Sequence, residues 1–123
     1  MHPRLTPVQR IDELENLLTQ SDTRPLLLFK HSYSCGISAE ALDELVGHLD
    51  SAGETQKRTD SPRYAMVTVQ THREVSNAVA SKLGIRHETP QALLVRDGQV
   101  VWSASHFRVT AEAVAAAIKA AAQ

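Results

Sequence analysis

The chain has 123 residues, 42% of them hydrophobic, a length and apolar content suited to a single domain around one modest core. Thirteen basic residues oppose fourteen acidic ones and the few aromatics are not interleaved with the basic side chains, which argues against a nucleic-acid or anionic-membrane partner. No run approaches the roughly 20 apolar residues of a membrane span, Met1 to Arg10 lacks a signal peptide's apolar centre, and one cysteine cannot close an internal disulfide, so we expect a cytoplasmic protein held by packing alone.

Thr6-Pro7-Val8-Gln9 has the form of a helix start, with Thr6 as N-cap, Pro7 at the first helical position and Gln9 reaching back in a capping box. Val8, Ile11, Leu14, Leu17 and Leu18 then share one helical stripe. Leu26-Leu27-Leu28-Phe29 is short, wholly apolar and preceded by Pro25, as a central strand buried on both faces would be. Ile37, Ala41, Leu42, Leu45, Val46 and Leu49 recur at helical spacing, so a helix begins close to Cys35 and ends near Asp50. Ser51 to Arg63 is polar, rich in turn formers and without period, the pattern of a surface loop or linker.

Tyr64 to Val69 reads as a second strand, and Thr71-His72-Arg73-Glu74 as a capping box opening a helix that Gly84 closes in the left-handed conformation. Strands near Ala92–Val95 and Val100–Ser103 flank Asp97-Gly98, a strong tight-hairpin signal. Thr110 caps an alanine-rich last helix with Val114, Ile118 and Ala121 on one face. The order is thus an N-terminal helix and then β-α-β-α-β-β-α. Two βαβ-type crossovers require parallel pairing in the first half, and the Asp-Gly hairpin adds an antiparallel pair. We therefore expect an α/β fold of thioredoxin/glutaredoxin type, a mixed four-stranded sheet with flanking helices, spanning residues 1–123 as one thioredoxin-like domain.

Cys35 follows the buried strand and opens the next helix, where unpaired backbone N–H groups and the positive end of the helix dipole favour thiolate over thiol. Lys30 and His31 are candidates for added positive charge nearby. A free cysteine is more often simply buried, but Ser32, Tyr33, Ser34 and Gly36 form a mostly polar turn rather than an apolar packing site. Ser38 stands where a dithiol enzyme would carry its second cysteine. A Cys-x-x-Ser protein cannot break a mixed disulfide from within and waits for an external thiol. Ser38 could donate a hydrogen bond to the thiolate or be an ordinary polar residue of a first helical turn. Thr89-Pro90 precedes the third strand; sequence alone favours a trans bond, whereas the topology favours a cis bond that would present the Thr89 backbone beside the thiol.

Several segments together resemble the monothiol bacilliredoxins, the YtxJ-like family of thioredoxin-fold proteins. They are Phe29-Lys30-His31-Ser32 leading to Cys35-Gly36-Ile37-Ser38, Arg73-Glu74-Val75-Ser76-Asn77 before Leu83-Gly84-Ile85, Pro90-Gln91-Ala92 with Asp97-Gly98, and Trp102-Ser103-Ala104-Ser105-His106. The resemblance implies removal of bacillithiol, a low-molecular-weight thiol, from protein cysteines to which it is disulfide-linked. Cys35 would attack as nucleophile, with Gly36, Ser38, Thr89 and Pro90 as thiolate-stabilising or substrate-binding residues. It also implies no bound cofactor, bacillithiol as co-substrate, S-thiolated client proteins as partners, and a second bacillithiol or a partner reductase for recycling. Family members commonly carry proline after the cysteine; Gly36 departs from that and implies a less rigid turn.

Cys35-Gly36-Ile37-Ser38 is also similar to the Cys-Gly-Phe-Ser motif of monothiol glutaredoxins, which hold a [2Fe–2S] cluster between two subunits, but their Gly-Gly pair and following Cys-Asp are missing. A third reading is a non-catalytic thioredoxin-fold binding module. The six histidines show no His-x-x-x-His pattern and point to no mononuclear metal site; they read as surface residues, with His106 a packing partner in a loop. Trp102 reads as core. Arg73, Arg86, Arg96 and Arg108 are all candidates for binding the carboxylates of a sugar-malate thiol, and the sequence does not choose among them.

Overall fold

The computed structural model describes residues 2–52 and 62–121. In chain order the elements are β1 (Leu5–Pro7), α1 (Ile11–Thr19), a 3₁₀ turn (Gln20–Asp22), β2 (Leu26–His31), α2 (Gly36–Ala52), β3 (Arg63–Thr68), α3 (Arg73–Leu83), β4 (Gln91–Arg96), β5 (Gln99–Ser105), a second 3₁₀ turn (His106–Arg108) and α4 (Ala111–Ala121). Most of the Ser51–Arg63 segment expected as a loop lies outside the described residues; its first two residues extend α2 and Arg63 already belongs to β3.

Among the described residues the sheet has five strands in the order β1-β3-β2-β4-β5, not the four expected. β2 pairs parallel with β3 and antiparallel with β4, and its side chains are buried on both faces. The extra strand comes from the segment read as a helix start. Leu5–Pro7 runs parallel to Tyr64–Met66, and the Val8 N–H extends the ladder by donating to the Met66 carbonyl at 2.9 Å. Leu5 and Val8 are both buried, and these tertiary contacts outweigh a local capping signal. Pro7 is tolerated because β1 is an edge strand, where a missing N–H faces no ladder partner. The helix starts later: Arg10 is its N-cap, and Glu13 Oε1 accepts from the N–H groups of Gln9 and Arg10 at 2.8 and 3.2 Å.

Alternation along the strands sorts the core into two layers. Leu27, Phe29, Ala92 and Leu94 face Ala41, Leu45 and Leu49 of α2 and Val114 and Ala117 of α4. Leu26, Leu28, Leu93 and Val95 face Leu14 of α1 and Val75 and Val79 of α3. Trp102 is half-buried and packs against the first layer, as its strand position predicts.

The turn chemistry is mostly as expected. Gly84 ends α3 at φ 62°, and Asp97 and Gly98 take φ 54° and 72°, the pair of left-handed residues a two-residue hairpin demands. Thr110 Oγ1 accepts from the Ala113 N–H at 3.1 Å and caps α4. The exception is α3. Its N-cap is His72 rather than Thr71, and it makes no side-chain cap because the Thr71 hydroxyl bonds His72 Nδ1 at 2.8 Å instead.

Leu28 and Leu45 are both fully buried, one in each layer. Either change to alanine is expected to lower unfolding free energy by about 2–5 kcal/mol in urea denaturation, whereas Val101→Ala, at an exposed position of β5, changes it by less than about 0.5 kcal/mol.

Candidate active site

The strand directions bring four segments to one end of the sheet. β2 and β3 are parallel, so the residues following His31 and Thr68 emerge together, and the Val69 N–H still donates to the His31 carbonyl at 2.9 Å. β4 is antiparallel to β2 with Lys30 opposite Gln91, so the residues entering β4 lie at that end as well. Ser105 pairs with Gln91 where β5 leaves the sheet, and the His106 N–H donates to the Pro90 carbonyl at 2.9 Å. Residues 32–38, 69–73, 86–90 and 105–110 therefore share one rim.

Cys35 is half-buried on this rim, immediately before α2. Its carbonyl accepts from the Ala39 N–H at 3.1 Å, which makes it the N-cap residue, and its own N–H closes a turn onto the Ser32 carbonyl at 3.3 Å. Ser38, three residues on, is fully buried. Its hydroxyl accepts from the Ser32 N–H at 2.9 Å and meets His31 Nδ1 at 2.8 Å. The side chain at the position of a second thiol thus ties the end of β2 to the first turn of α2. Among the described residues no hydrogen bond links it to the Cys35 sulfur.

Neither neighbour expected to supply positive charge does so directly. Lys30 alternates onto the opposite face of the sheet, with Leu26 and Leu28, and is 0% exposed. Its ammonium donates to His87 Nδ1 at 2.6 Å and to the Ser76 carbonyl at 3.3 Å, and burial pushes its pKa down to about 8. Burial first, then the Lys30 charge, lowers the pKa of His87, which leaves its Nδ1 free to accept. His31 lies on the α2 face, stacked on Phe29 at 5.9 Å, and burial lowers its pKa too, so its imidazole is neutral near pH 7.

The other candidates divide by position. The Thr89-Pro90 bond is cis, as the topology favours and against the trans preference of an isolated X-Pro bond. Pro90 is buried and Thr89 half-buried, one step beyond the Lys30–Gln91 pair. Gly36 has no positive φ, and a Cβ built on it would meet nothing within 4 Å, so glycine is not required there. Arg96 lies at the opposite end of the sheet and donates to the Ala121 carbonyl at 3.1 Å, which removes it from the carboxylate-binding candidates. Arg73 and Arg108 line open clefts of about 540 and 470 Å³ at the Cys35 end. His48 is not a surface histidine; it is 4% exposed and bonds the Tyr64 hydroxyl at 2.9 Å, while His106 is exposed. Among the described residues no three His, Cys, Asp or Glu side chains gather to hold a metal ion.

One residue that sequence reasoning did not single out belongs to the site. Gln70, just past β3, reaches across to the Ser32–Cys35 turn with both ends of its carboxamide. The only sequence signal for it is its place beyond a strand parallel to β2, and that signal exists only once the pairing is known.

A family model described as monothiol bacilliredoxin BrxC matches residues 6–114. The chain belongs to the monothiol bacilliredoxin family. A solved structure described as a candidate oxidoreductase with a thioredoxin fold is 27% identical to this bacilliredoxin, covers 93% of each chain and superposes with a TM-score of 0.77. Oxidised mitochondrial thioredoxin 3 from Saccharomyces cerevisiae is 17% identical over 94% of each chain, TM-score 0.69. Thioredoxin from Trypanosoma brucei brucei is 10% identical over 98% of this chain and 93% of its own, TM-score 0.74. The bacilliredoxin therefore has a thioredoxin fold, and its family chemistry is thiol–disulfide exchange.

Two measurements follow from this geometry. Ser38→Ala strands the Ser32 N–H and His31 Nδ1 and is expected to cost about 1–3 kcal/mol of stability by chemical denaturation. For Lys30, the unfolded chain keeps its proton up to the ordinary value of 10.5 while the folded chain releases it near 8. Between those values the unfolded state binds more protons, so stability rises with pH. Wild type is expected to gain stability relative to Lys30→Met across that window, and a pH-independent difference in urea titrations would refute the buried ammonium.

Proposed function

We propose that this bacilliredoxin removes bacillithiol from mixed disulfides on client proteins, with Cys35 as nucleophile. The observation that carries the reading is a lone half-buried thiol at the N-cap of α2, with a buried, hydrogen-bonded serine where a resolving thiol would stand. The N-cap position favours a negative charge through the helix dipole and the free N–H groups of the first turn.

In the first step the Cys35 thiolate attacks the bacillithiol sulfur of the mixed disulfide. A Cys35–bacillithiol disulfide forms, the original S–S bond breaks, and the client cysteine leaves as a thiolate that takes a proton from solvent. Ser38 offers no thiol for an internal second attack, so an external thiolate must complete the cycle. A second bacillithiol would attack the sulfur of the bound one, giving bacillithiol disulfide and restoring the Cys35 thiolate; a partner reductase would do the same with its own thiol. Gly36, next to Cys35 in the chain, and Thr89 and Pro90, which enter β4 at the same rim, would serve as contacts for the incoming disulfide. Arg73 and Arg108, in clefts at the same end, are suited to the carboxylates of a sugar-malate thiol. Tyr33 and Phe107, 65% and 69% exposed, offer apolar surface to a client. A cytoplasmic setting, where thiols stay reduced, suits the cycle.

The test presents a bacillithiol-modified client to wild type and to Cys35→Ser, with mass spectrometry following the adduct. Wild type is expected to acquire one bacillithiol on Cys35 as the client is freed. Release of the client by the serine variant would exclude Cys35, and reconstitution of a stable coloured dimer with iron, sulfide and low-molecular-weight thiol would favour a cluster carrier instead.

A further inference from the structure

The turn that carries Cys35 has little of its own to hold it. Tyr33 and Ser34 are exposed, so packing does not fix them, and the turn's own closing bond, from the Cys35 N–H to the Ser32 carbonyl, is long at 3.3 Å. Ser38 secures only its first residue, through the Ser32 N–H. Apart from a long Ser32 Oγ–Ser34 Oγ contact of 3.5 Å within the turn, the remaining hydrogen bonds converge on one side chain from another segment. Gln70 Nε2 donates to Ser32 Oγ at 2.6 Å and to Ser34 Oγ at 2.9 Å, while Gln70 Oε1 accepts from the Tyr33 N–H at 3.3 Å.

The chemistry of the three partners fixes the amide's orientation. The Tyr33 N–H can only donate, so it must face the carbonyl oxygen; the two serine oxygens can accept, so they take the two amide hydrogens. A flipped amide would set donor against donor at Tyr33. Gln70 is itself held in place, because the Val69 N–H continues the ladder to β2 and the His72 N–H closes a turn onto the Thr68 carbonyl at 3.0 Å. A side chain based on the β2–β3 ladder thus spans the residues on the N-terminal side of Cys35.

We infer that Gln70 is a positioning residue for the reactive thiol, holding the Ser32–Cys35 turn so that the Cys35 sulfur stays at the N-terminus of α2. The inference rests on Cys35 being the exchanging thiol, and it adds a part that the Cys-x-x-Ser pattern does not supply. Freed from the carboxamide, the turn samples other conformations, and the sulfur spends less time where the helix end favours its charge.

The experiment measures iodoacetamide alkylation of Cys35 as a function of pH in wild type, Gln70→Leu, Ser32→Ala/Ser34→Ala and the triple variant, beside thermal melts and amide exchange at Tyr33. Gln70→Leu matches glutamine in bulk and removes all three hydrogen bonds. Its alkylation rate at pH 7 is expected to fall about two- to fivefold, the scale on which a helix terminus favours a nearby charge. Tyr33 amide exchange should quicken as the turn loosens. The triple variant should lose less than the sum of its parts, since the changes break shared contacts. An unaltered alkylation profile in folded Gln70→Leu, or strictly additive effects, would overturn the inference. If Gln70→Leu does not fold, Ser34→Ala, at an exposed position, carries the same test with a smaller expected deficit. Because alkylation involves no bacillithiol, a failure here is separable from a failure of client release by wild type.

Discussion

Everything at the thiol depends on the way β2 is held. It is the middle strand, parallel to β3 on one side and antiparallel to β4 on the other, with side chains buried on both faces. The mixed pairing has a geometric result that neither pure arrangement would give: the chain leaves β2 and β3, and enters β4, at the same rim. The antiparallel β4–β5 hairpin then returns Ser105–Arg108 there as well. Four segments distant in sequence thus meet around Cys35 without a dedicated binding domain. The apolar run Leu26–Phe29 drives that placement, since a strand wholly buried on both faces cannot move to an edge without exposing one of them.

Where β2 reaches the rim it stops being apolar, and its last two residues do different work on opposite faces. Lys30 is the only fully buried ammonium among the described residues, and no carboxylate compensates it there. Its partners are a neutral imidazole and a backbone carbonyl, and two nearby polar atoms, Ser76 Oγ and the cross-strand Gln91 Oε1, are buried without a protein hydrogen-bond partner among the described residues. Taking a cation out of water onto such partners opposes folding. It also joins β2, α3 and the segment that leads into Thr89-Pro90. On the other face His31, also neutral, reaches Ser38 instead and joins β2 to α2. The rim is therefore organised by neutral hydrogen-bonding groups around one buried charge, and not by a ring of cations about the sulfur.

The sequence was most informative where a single residue type has one physical use. Gly84 and Asp97-Gly98 announced left-handed backbone, Thr110 announced a cap, and Leu26–Phe29 announced a central strand, and each stands where it was read. It misled where local chemistry had a tertiary competitor. Thr6-Pro7-Val8-Gln9 has the form of a helix start, yet the segment extends the sheet beside β3, where Leu5 and Val8 are both buried. Thr71 could cap α3, but the adjacent His72 ring offers its hydroxyl a nearer partner. The site divides in the same way. Cys35 and Ser38 were legible from spacing alone, whereas the Lys30–His87 contact and the Gln70 contacts join residues 57 and 36 to 38 positions apart, separations that only the strand order brings together.

Gly36 and Ser38 both follow Cys35 in the first turn of α2, with opposite degrees of constraint. Ser38 is buried and committed to two partners, so the site of a second thiol is filled by a group that holds β2, turn and helix together. Gly36 is exposed, has space for a Cβ and occupies no left-handed conformation, so neither sterics nor backbone geometry requires it. As the first residue of α2 it could be proline without losing an intrahelical bond, because the N–H at that position has no partner within the helix. A glycine there leaves the backbone beside Cys35 free to relax on one side, so rigidity must come from the other, and on that side the restraints are polar. They are the Ser38 hydroxyl at the first residue of the turn and the Gln70 carboxamide across its middle.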